Sequence, residues 1–208
     1  MGKLPRSKII QITDRKAFCS EKAFLSQIQS NLNLGISAIY LREKDLPDSE
    51  YLNLSLKVLN ICQRVNAQLI LPGSLSFLDK IPVALIQAGK MTPSILNLRK
   101  KWGKEKTIGF SAHSLKEATR AEKEGANYLF FSPIFSSPSK PDLKPLGLEP
   151  LKSVCEQLRI PVYALGGINE KNLAQVMKTG AYGFTSISSL QNSQTTQRMI
   201  NLLKKFCE

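Results

Sequence analysis

The chain has 208 residues, 42% of them hydrophobic, and its 29 Lys and Arg against 16 Asp and Glu give a formal charge of +13. This length fits one compact unit that buries about 70% of its unfolded surface, so residues 1–208 are interpreted as a single domain. The composition excludes an intrinsically disordered chain. No apolar run reaches the ~18 residues of a membrane span, and residues 1–6 lack the apolar core of a signal peptide. We therefore expect a cytoplasmic protein with no membrane partner.

The excess positive charge fits either an anionic partner or a solvated surface, and charge alone favours the solvated surface. Basic residues are interspersed with acidic ones, as in Glu122-Lys123-Glu124, and no aromatic–basic motif accompanies them. We therefore expect no nucleic-acid partner. A homo-oligomer is compatible with the sequence.

The four cysteines, Cys19, Cys62, Cys155 and Cys207, are widely spaced and form no Cys-x-x-Cys pair. The single histidine, His113, completes no ligand pattern with them. We expect reduced, packed thiols and no structural metal.

Short β-rich apolar runs alternate with longer amphipathic segments, a pattern typical of a parallel sheet covered by helices. Eight runs are predicted as strands, at residues 9–12, 38–41, 68–71, 83–86, 107–110, 127–131, 161–164 and 183–185. Eight β/α units in about 200 residues predict an α/β fold, a single compact (β/α)8 TIM barrel. A doubly wound open sheet is the main alternative.

Several helices between these strands have recognisable ends. Ser114 and Glu117 have the spacing of a capping box, in which each side chain accepts from the other residue's amide, and Gly125 ends that helix. Further helices are predicted from Asn169 to Gly180 and over about 195–206. Residues 71–81 carry only a weak helical signal, so a loop or a degenerate helix is expected there.

In a barrel of this kind the active site lies at the carboxyl ends of the strands. Gly166-Gly167-Ile168-Asn169 follows the seventh strand and Ser186-Ile187-Ser188-Ser189 follows the eighth. Glycines allow backbone amides to approach an anion closely, and the start of a helix adds a positive dipole end. These two loops therefore predict a phosphate site, with a Gly-Gly turn and a serine cap as the alternative.

At the end of the second strand, alternation places Tyr40, Arg42 and Lys44 on one face. Arg binds phosphate in a bidentate manner and Lys adds a mobile charge, so this pair suits a phosphorylated or carboxylated ligand. A solvated charge cluster is an equally good explanation.

After the fifth strand, the same alternation places Ser111 and His113 on one face. A histidine is well suited to proton transfer when a substrate lies within hydrogen-bond reach. Capping of the helix that starts at Ser114 explains His113 equally well.

The segment over residues 132–147 is rich in Ser, Pro and Lys and resembles a mobile lid. Lys140 could close over an anion at the barrel mouth. An ordinary exposed loop has the same composition.

Taken together, these strand ends resemble the thiamine phosphate synthase family, which includes a thiazole tautomerase branch. The match runs over nearly the whole chain, and each motif is short. The matching motifs are Ile12-Thr13-Asp14-Arg15, Leu41-Arg42-Glu43-Lys44, Ile108-Gly109-Phe110-Ser111-Ala112-His113-Ser114, Pro133-Ile134-Phe135 with Lys140, Gly147, Ala164-Leu165-Gly166-Gly167-Ile168 and Ser186-Ile187-Ser188.

The resemblance implies a (β/α)8 barrel that binds a small phosphorylated thiazole. The binding positions that it implies are Gly166, Gly167, Ser186 and Ile187, and Tyr40 and Gly147 are included among the substrate-binding candidates. In the synthases, the residues that match Arg42, Lys44, Ser111 and Lys140 hold the diphosphate of a hydroxymethylpyrimidine substrate, and the reaction needs Mg²⁺.

The chain departs from the synthase pattern at the metal positions. An Asn-Asp pair of the family aligns with Pro72 and Gly73, an Asp aligns with Met91, and the glutamine that contacts the pyrimidine is replaced by Tyr40. Mg²⁺ prefers oxygen ligands, which Pro72, Gly73 and Met91 side chains do not supply as carboxylates. We therefore expect no cofactor, with Mg²⁺ recruited by Asp14, Glu43 or Asp45 only if the synthase reaction holds.

The tautomerase branch transfers protons on a thiazole carboxylate phosphate without a metal, and its active histidine falls on His113. The favoured function is therefore this tautomerisation, with His113 moving the proton and with Arg42 and Lys44 orienting the carboxylate or ring. Two alternatives remain open, a thiamine phosphate synthase and an inactive protein that binds thiazole or thiamine phosphate.

Overall fold

In a computed structural model that describes residues 4–5, 7–137 and 143–206, eight parallel strands form a closed barrel in sequence order. The strands are β1 (Ile9–Ile12), β2 (Ala38–Tyr40), β3 (Gln68–Pro72), β4 (Leu85–Ala88), β5 (Thr107–Ala112), β6 (Tyr128–Phe131), β7 (Val162–Leu165) and β8 (Gly183–Ser186). The pairing of β1 with β8, which places Ile10 opposite Thr185, closes the sheet. The predicted (β/α)8 barrel is confirmed, and the open-sheet alternative is wrong.

Seven α-helices cover the outside of the barrel in the described ranges. They are α1 (Glu21–Asn33), α2 (Asp48–Arg64), α3 (Ile95–Trp102), α4 (Leu115–Lys123), α5 (Leu148–Gln157), α6 (Leu173–Met177) and α7 (Ser193–Lys204). Only a 3-10 turn over Leu78–Lys80 lies between β3 and β4. The weak helical signal of residues 71–81 therefore predicted the missing helix correctly.

The hydrophobic core has two parts. The larger lies between the strands and the helices, and the smaller fills the barrel with inward-facing side chains that include Tyr40, Tyr128, Phe130 and Tyr163. The rings of Tyr40 and Phe130 are 5.9 Å apart, and those of Phe130 and Tyr163 are 6.0 Å apart. The interior is thus packed with aromatic rings, and a ligand can approach only at the mouth of the barrel.

Tyr128 fits inside because β5 carries a glycine opposite it. A methyl group at Gly109 would overlap both the Tyr128 ring and the Gln87 side chain. The glycine in this strand is therefore required by packing, since its φ lies outside the left-handed region.

The fourth strand begins two residues later than predicted, at Leu85 rather than Val83. The Val83 amide donates to the Ile81 carbonyl, and the Val83 carbonyl accepts from the Lys106 ammonium at 2.6 Å. Since both backbone groups have partners outside the sheet, Val83 does not join the ladder. The shift brings Gln87 into β4.

The capping box at α4 forms only in part. Ser114 Oγ accepts from the Glu117 amide at 3.2 Å, but the Glu117 carboxylate accepts from the His113 amide at 2.7 Å rather than from Ser114. The predicted hydrogen bond from the Ser114 amide to the Glu117 side chain is therefore wrong. The Glu117 carboxylate binds the backbone amide of His113 instead.

The predicted helix from Asn169 to Gly180 is shorter in the structure, where α6 spans Leu173–Met177. The side chain of Asn172 accepts from the Asn169 amide at 2.8 Å, and the side chain of Asn169 accepts from the Lys171 amide at 2.9 Å. These local bonds hold the chain in turns before the helix begins. The last helix begins and ends two residues earlier than predicted.

The described cysteines Cys19, Cys62 and Cys155 are free thiols, and Cys207 lies outside the described residues. Burial raises the pKa of Cys62 to about 12 and that of Cys155 to about 11. Within the described ranges, no helix combines the length and the apolarity that crossing a membrane would need.

Candidate functional site

The predicted residues Ser111 and His113 lie at the mouth of the barrel. Strand β5 continues to Ala112, two residues beyond the prediction, so Ser111 is within the strand and His113 follows it directly. Alternate residues of a strand point to the same side, so Ser111 and His113 lie on the side of Gly109, which faces the barrel interior. The longer strand therefore orients both side chains more firmly than a loop would.

The His113 ring is fixed through one nitrogen. Its Nδ1 lies 2.7 Å from the carbonyl oxygen of Ser132, which follows β6. A carbonyl can only accept, so Nδ1 carries the hydrogen and Nε2 of the neutral ring holds a lone pair. No residue in the described part of the chain forms a hydrogen bond with Nε2. The half-buried ring thus presents a proton acceptor with a set orientation.

Gln87 is a site residue that the sequence analysis missed. It is 2% exposed, faces the interior like Leu85, and donates from Nε2 to Ser111 Oγ at 3.0 Å. Its Oε1 is buried without a partner among the described residues. The predicted strand ended at Ile86, which left this residue outside, although a glutamine beside an apolar run was a usable signal.

Tyr40 and Arg42 lie together at the end of β2. Tyr40 is 7% exposed, and burial raises its pKa to about 12, a shift that the nearby positive charge of Arg42 partly opposes. Arg42 is half-buried, and it takes part in none of the ion pairs of the described residues. Lys44 is exposed in the turn beyond the strand, where the predicted alternation no longer applies.

The loop after β7 packs against the loop after β6. Gly166 and Gly167 have φ values of +104° and +64°, and a methyl group at Gly167 would overlap the Ser136 carbonyl and the Phe135 side chain. Phe135 donates its amide to the Gly166 carbonyl at 3.0 Å. The glycines are therefore required by backbone conformation and by loop packing, which is a different reason from the predicted approach of an anion.

The loops after β7 and β8 are neighbours, as predicted. Ser189 Oγ donates to the Ile168 carbonyl at 2.6 Å, while Ser186 is 6% exposed and its hydroxyl accepts from the Ser189 amide at 3.3 Å. Ile187 packs beside the interior cluster. The hydroxyl of Ser186 thus accepts within the turn and keeps its own hydrogen to donate, so this loop can offer that hydroxyl and its backbone amides to an anion.

The segment over residues 132–147 is anchored at both described ends. Ile134 donates its amide to Leu165, and Gly147, with a φ of +83°, donates its amide to the Ile134 carbonyl at 3.1 Å before α5 begins. Lys140 lies outside the described residues. Gly147 therefore provides the left-handed backbone conformation at which the chain leaves this segment and enters α5.

These contacts connect the histidine to the glycine loop. Ser132 holds His113 through its carbonyl, and the next residue, Pro133, lies 3.0 Å from the position of a Cβ on Gly166. The proton acceptor and the predicted phosphate loop are therefore separated by two packed residues.

The described residues do not fit a Mg²⁺ site. Pro72 is the last residue of β3, Gly73 follows it in a turn, and Met91 is 88% exposed beyond β4. The Glu43 carboxylate accepts from Thr13 and Arg15, and that of Asp45 pairs with Arg15 and Lys16. The described chain brings together no group of three or more His, Cys, Asp and Glu that could hold a metal.

Comparisons with known proteins agree with this architecture. The family model described as thiamine monophosphate synthase matches residues 9–190. A putative thiamine-phosphate synthase 2 of Aquifex aeolicus is 37% identical over 187 residues, 89% of this chain and 97% of the relative. A thiamine-phosphate synthase of Clostridium acetobutylicum is 31% identical over 202 residues, 95% of each chain.

A solved structure gives the same assignment. Thiamine phosphate pyrophosphorylase from Pyrococcus furiosus superposes with a TM-score of 0.86 at 27% identity, covering 96% of each chain. The family model over residues 9–190 and these relatives together show that the chain belongs to the thiamine monophosphate synthase family.

Proposed function

We propose that this protein is an enzyme of thiamine biosynthesis that tautomerises a thiazole carboxylate phosphate to its aromatic form. The orientation of His113 carries the proposal, because the Ser132 carbonyl holds the Nδ1 hydrogen and Nε2 remains the acceptor. The reaction is an isomerisation, so one proton leaves a carbon of the conjugated system and one proton returns to another carbon. A single histidine can perform both transfers in turn.

The surrounding groups support binding of a small anion beside this histidine. Arg42 has no carboxylate partner among the described residues, and with Lys44 it would orient the substrate carboxylate or ring. Backbone amides of the Gly166-Gly167 and Ile187 loops would hold the phosphate, and Ser111, oriented by Gln87, would contact the ring or an anionic group. Tyr40 forms the buried floor below Arg42, while Gly147 and Lys140 stay predictions for the loop above.

A second candidate is thiamine phosphate synthase, which joins hydroxymethylpyrimidine diphosphate to thiazole phosphate. The names of the curated relatives favour it over a tautomerase. The residues at the family's metal positions, Pro72, Gly73 and Met91, argue against a synthase. Its reaction uses Mg²⁺, and these three side chains supply no carboxylate to bind it. A catalytically inactive binder of thiazole or thiamine phosphate is the third candidate.

Removing metal separates these candidates. The full chain should aromatise thiazole carboxylate phosphate at the same rate with EDTA as with Mg²⁺, as followed by chromatography of the aromatic product. The matched assay supplies thiazole phosphate, hydroxymethylpyrimidine diphosphate and Mg²⁺, and thiamine phosphate formed there but not with EDTA would assign the synthase instead. Binding of thiazole phosphate without either reaction would assign the inactive binder.

A further inference from the structure

Glu43 is a buried carboxylate that the proposed chemistry leaves without a task. It is 3% exposed and lies between the cations Arg42 and Lys44 in the chain. An isolated buried carboxylate is costly, so its hydrogen bonds indicate what it does. Among the described residues, all hydrogen-bond partners of its carboxylate belong to the loop that connects β1 to α1.

Three contacts tie this carboxylate to the neighbouring loop. Thr13 donates its hydroxyl to Oε1 of Glu43, and the Arg15 amide donates to Oε1 and Oε2 at 3.2 and 3.1 Å. Thr13 Oγ1 in turn accepts from the Arg42 amide at 3.1 Å. The Glu43 carboxylate therefore fixes the Thr13 hydroxyl, which in turn binds the backbone amide of Arg42.

The same arrangement occupies the neighbouring acids with groups other than the Arg42 side chain. Asp45, the next acid along the chain, pairs with Arg15 and with Lys16 at 3.2 Å, on the same loop. The Glu43 amide donates to Tyr51 Oη at 3.2 Å on α2. The carboxylates of Glu43 and Asp45 are thus both held by the β1–α1 loop, and the Arg42 guanidinium has no carboxylate partner among the described residues.

We propose that Glu43 is a positioning residue, which clamps the β1–α1 loop through Thr13 and Arg15 so that Arg42 is held toward the mouth for an anionic substrate. The proposal rests on the proposed function, because it takes the ligand of Arg42 to be a phosphorylated thiazole. A small misplacement of such a group lowers binding and rate strongly, by up to about a hundredfold.

The test is a double-mutant cycle on the full chain with aromatic thiazole phosphate as the probe, measured by calorimetry. Glu43→Gln is expected to weaken binding about tenfold or more in the otherwise unchanged protein, and to change it little when Arg42 is already alanine. Glu122→Gln is the matched control, because its carboxylate, like that of Glu43, accepts from backbone amide groups, here those of Arg159 and Ile160 on a distant loop. This control is expected to bind the probe normally.

Equal losses from Glu43→Gln with and without Arg42 would overturn the proposal. Thr13→Val provides a milder variant if Glu43→Gln does not fold, and it is expected to show the same dependence on Arg42. Backbone amide exchange needs no ligand and should accelerate at Arg15 and Arg42 in either variant, while unchanged exchange would also overturn the clamp. If the unmutated chain does not bind the probe, the proposed function fails, whereas the exchange measurement still decides the role of Glu43.

Discussion

Replacing His113 with asparagine is expected to lower the rate of tautomerisation by about two to four orders of magnitude. The asparagine amide can still donate to the Ser132 carbonyl, which holds Nδ1 at 2.7 Å in the unmutated chain, but it has no counterpart of Nε2. The substitution therefore removes the proton acceptor and preserves the local hydrogen bond. Turnover is measured by chromatography of the aromatic product and binding by calorimetry.

Binding of aromatic thiazole phosphate should stay within a few-fold of the unmutated value, because the predicted phosphate loops do not include residue 113. The matched control is Ser114→Gly, which changes the helix cap next to His113 and leaves the ring in place. A His113→Asn protein that binds the probe and retains full turnover would remove histidine from the chemistry.

Replacing Gly183 with alanine is expected to destabilise the fold by about 3 kcal/mol, because its methyl group would overlap a backbone atom that has little freedom to move. Gly183 is the first residue of β8, and the carbonyl of Lys8 occupies the space where its Cβ would lie. That carbonyl also accepts from the Phe184 amide at 2.9 Å. The clash therefore opens the seam between β1 and β8 that closes the barrel.

Thermal unfolding followed by circular dichroism is the measurement. A loss of about 3 kcal/mol corresponds to a fall in Tm of roughly 6–12 °C in a domain of this size. Gly89→Ala is the matched control. A Cβ at Gly89 would have its nearest neighbour, Ser111 Cβ, at 4.0 Å, and the φ of Gly89 lies outside the left-handed region. Equal Tm values for the two variants would contradict the packing explanation.

The sequence predicted the barrel because its evidence is periodic and repeated. Eight apolar runs at this spacing are compatible with few folds, and the closed barrel confirms the predicted one. The individual boundaries depend on single hydrogen bonds, such as the Lys106 ammonium at the Val83 carbonyl or the asparagine turns before α6. Those contacts join residues whose spacing carries no periodic signal, so the bounds of β4 and α6 were displaced by two to four residues.

The sequence predicted those residues of the candidate site that lie at or just after the ends of strands. Alternation along the strands predicted Arg42, Ser111 and His113, and the structure places all three at the mouth. Gln87 was missed because the fourth strand was placed two residues early. The clamp of Thr13 and Glu43 was missed because a buried hydrogen bond across 30 residues leaves no local pattern.

The glycines show a different limit of sequence reasoning. Gly166-Gly167 predicted a phosphate loop, but the structure gives these glycines a packing role against Pro133 and Phe135. A Gly-Gly pair can satisfy a conformational need and a ligand at once, and the sequence does not separate the two. The contact that brings the loop near His113 arises only once the segment after β6 is folded.

The most direct test of the proposed tautomerase site is a crystal structure of the full chain with aromatic thiazole phosphate. The phosphate is expected at the backbone amides of the Gly166-Gly167 and Ile187 loops, with the thiazole ring within hydrogen-bond reach of His113 Nε2, about 3 Å. A phosphate bound instead beside Asp14 and Asp45 through a Mg²⁺ ion, with the ring away from His113, would contradict it.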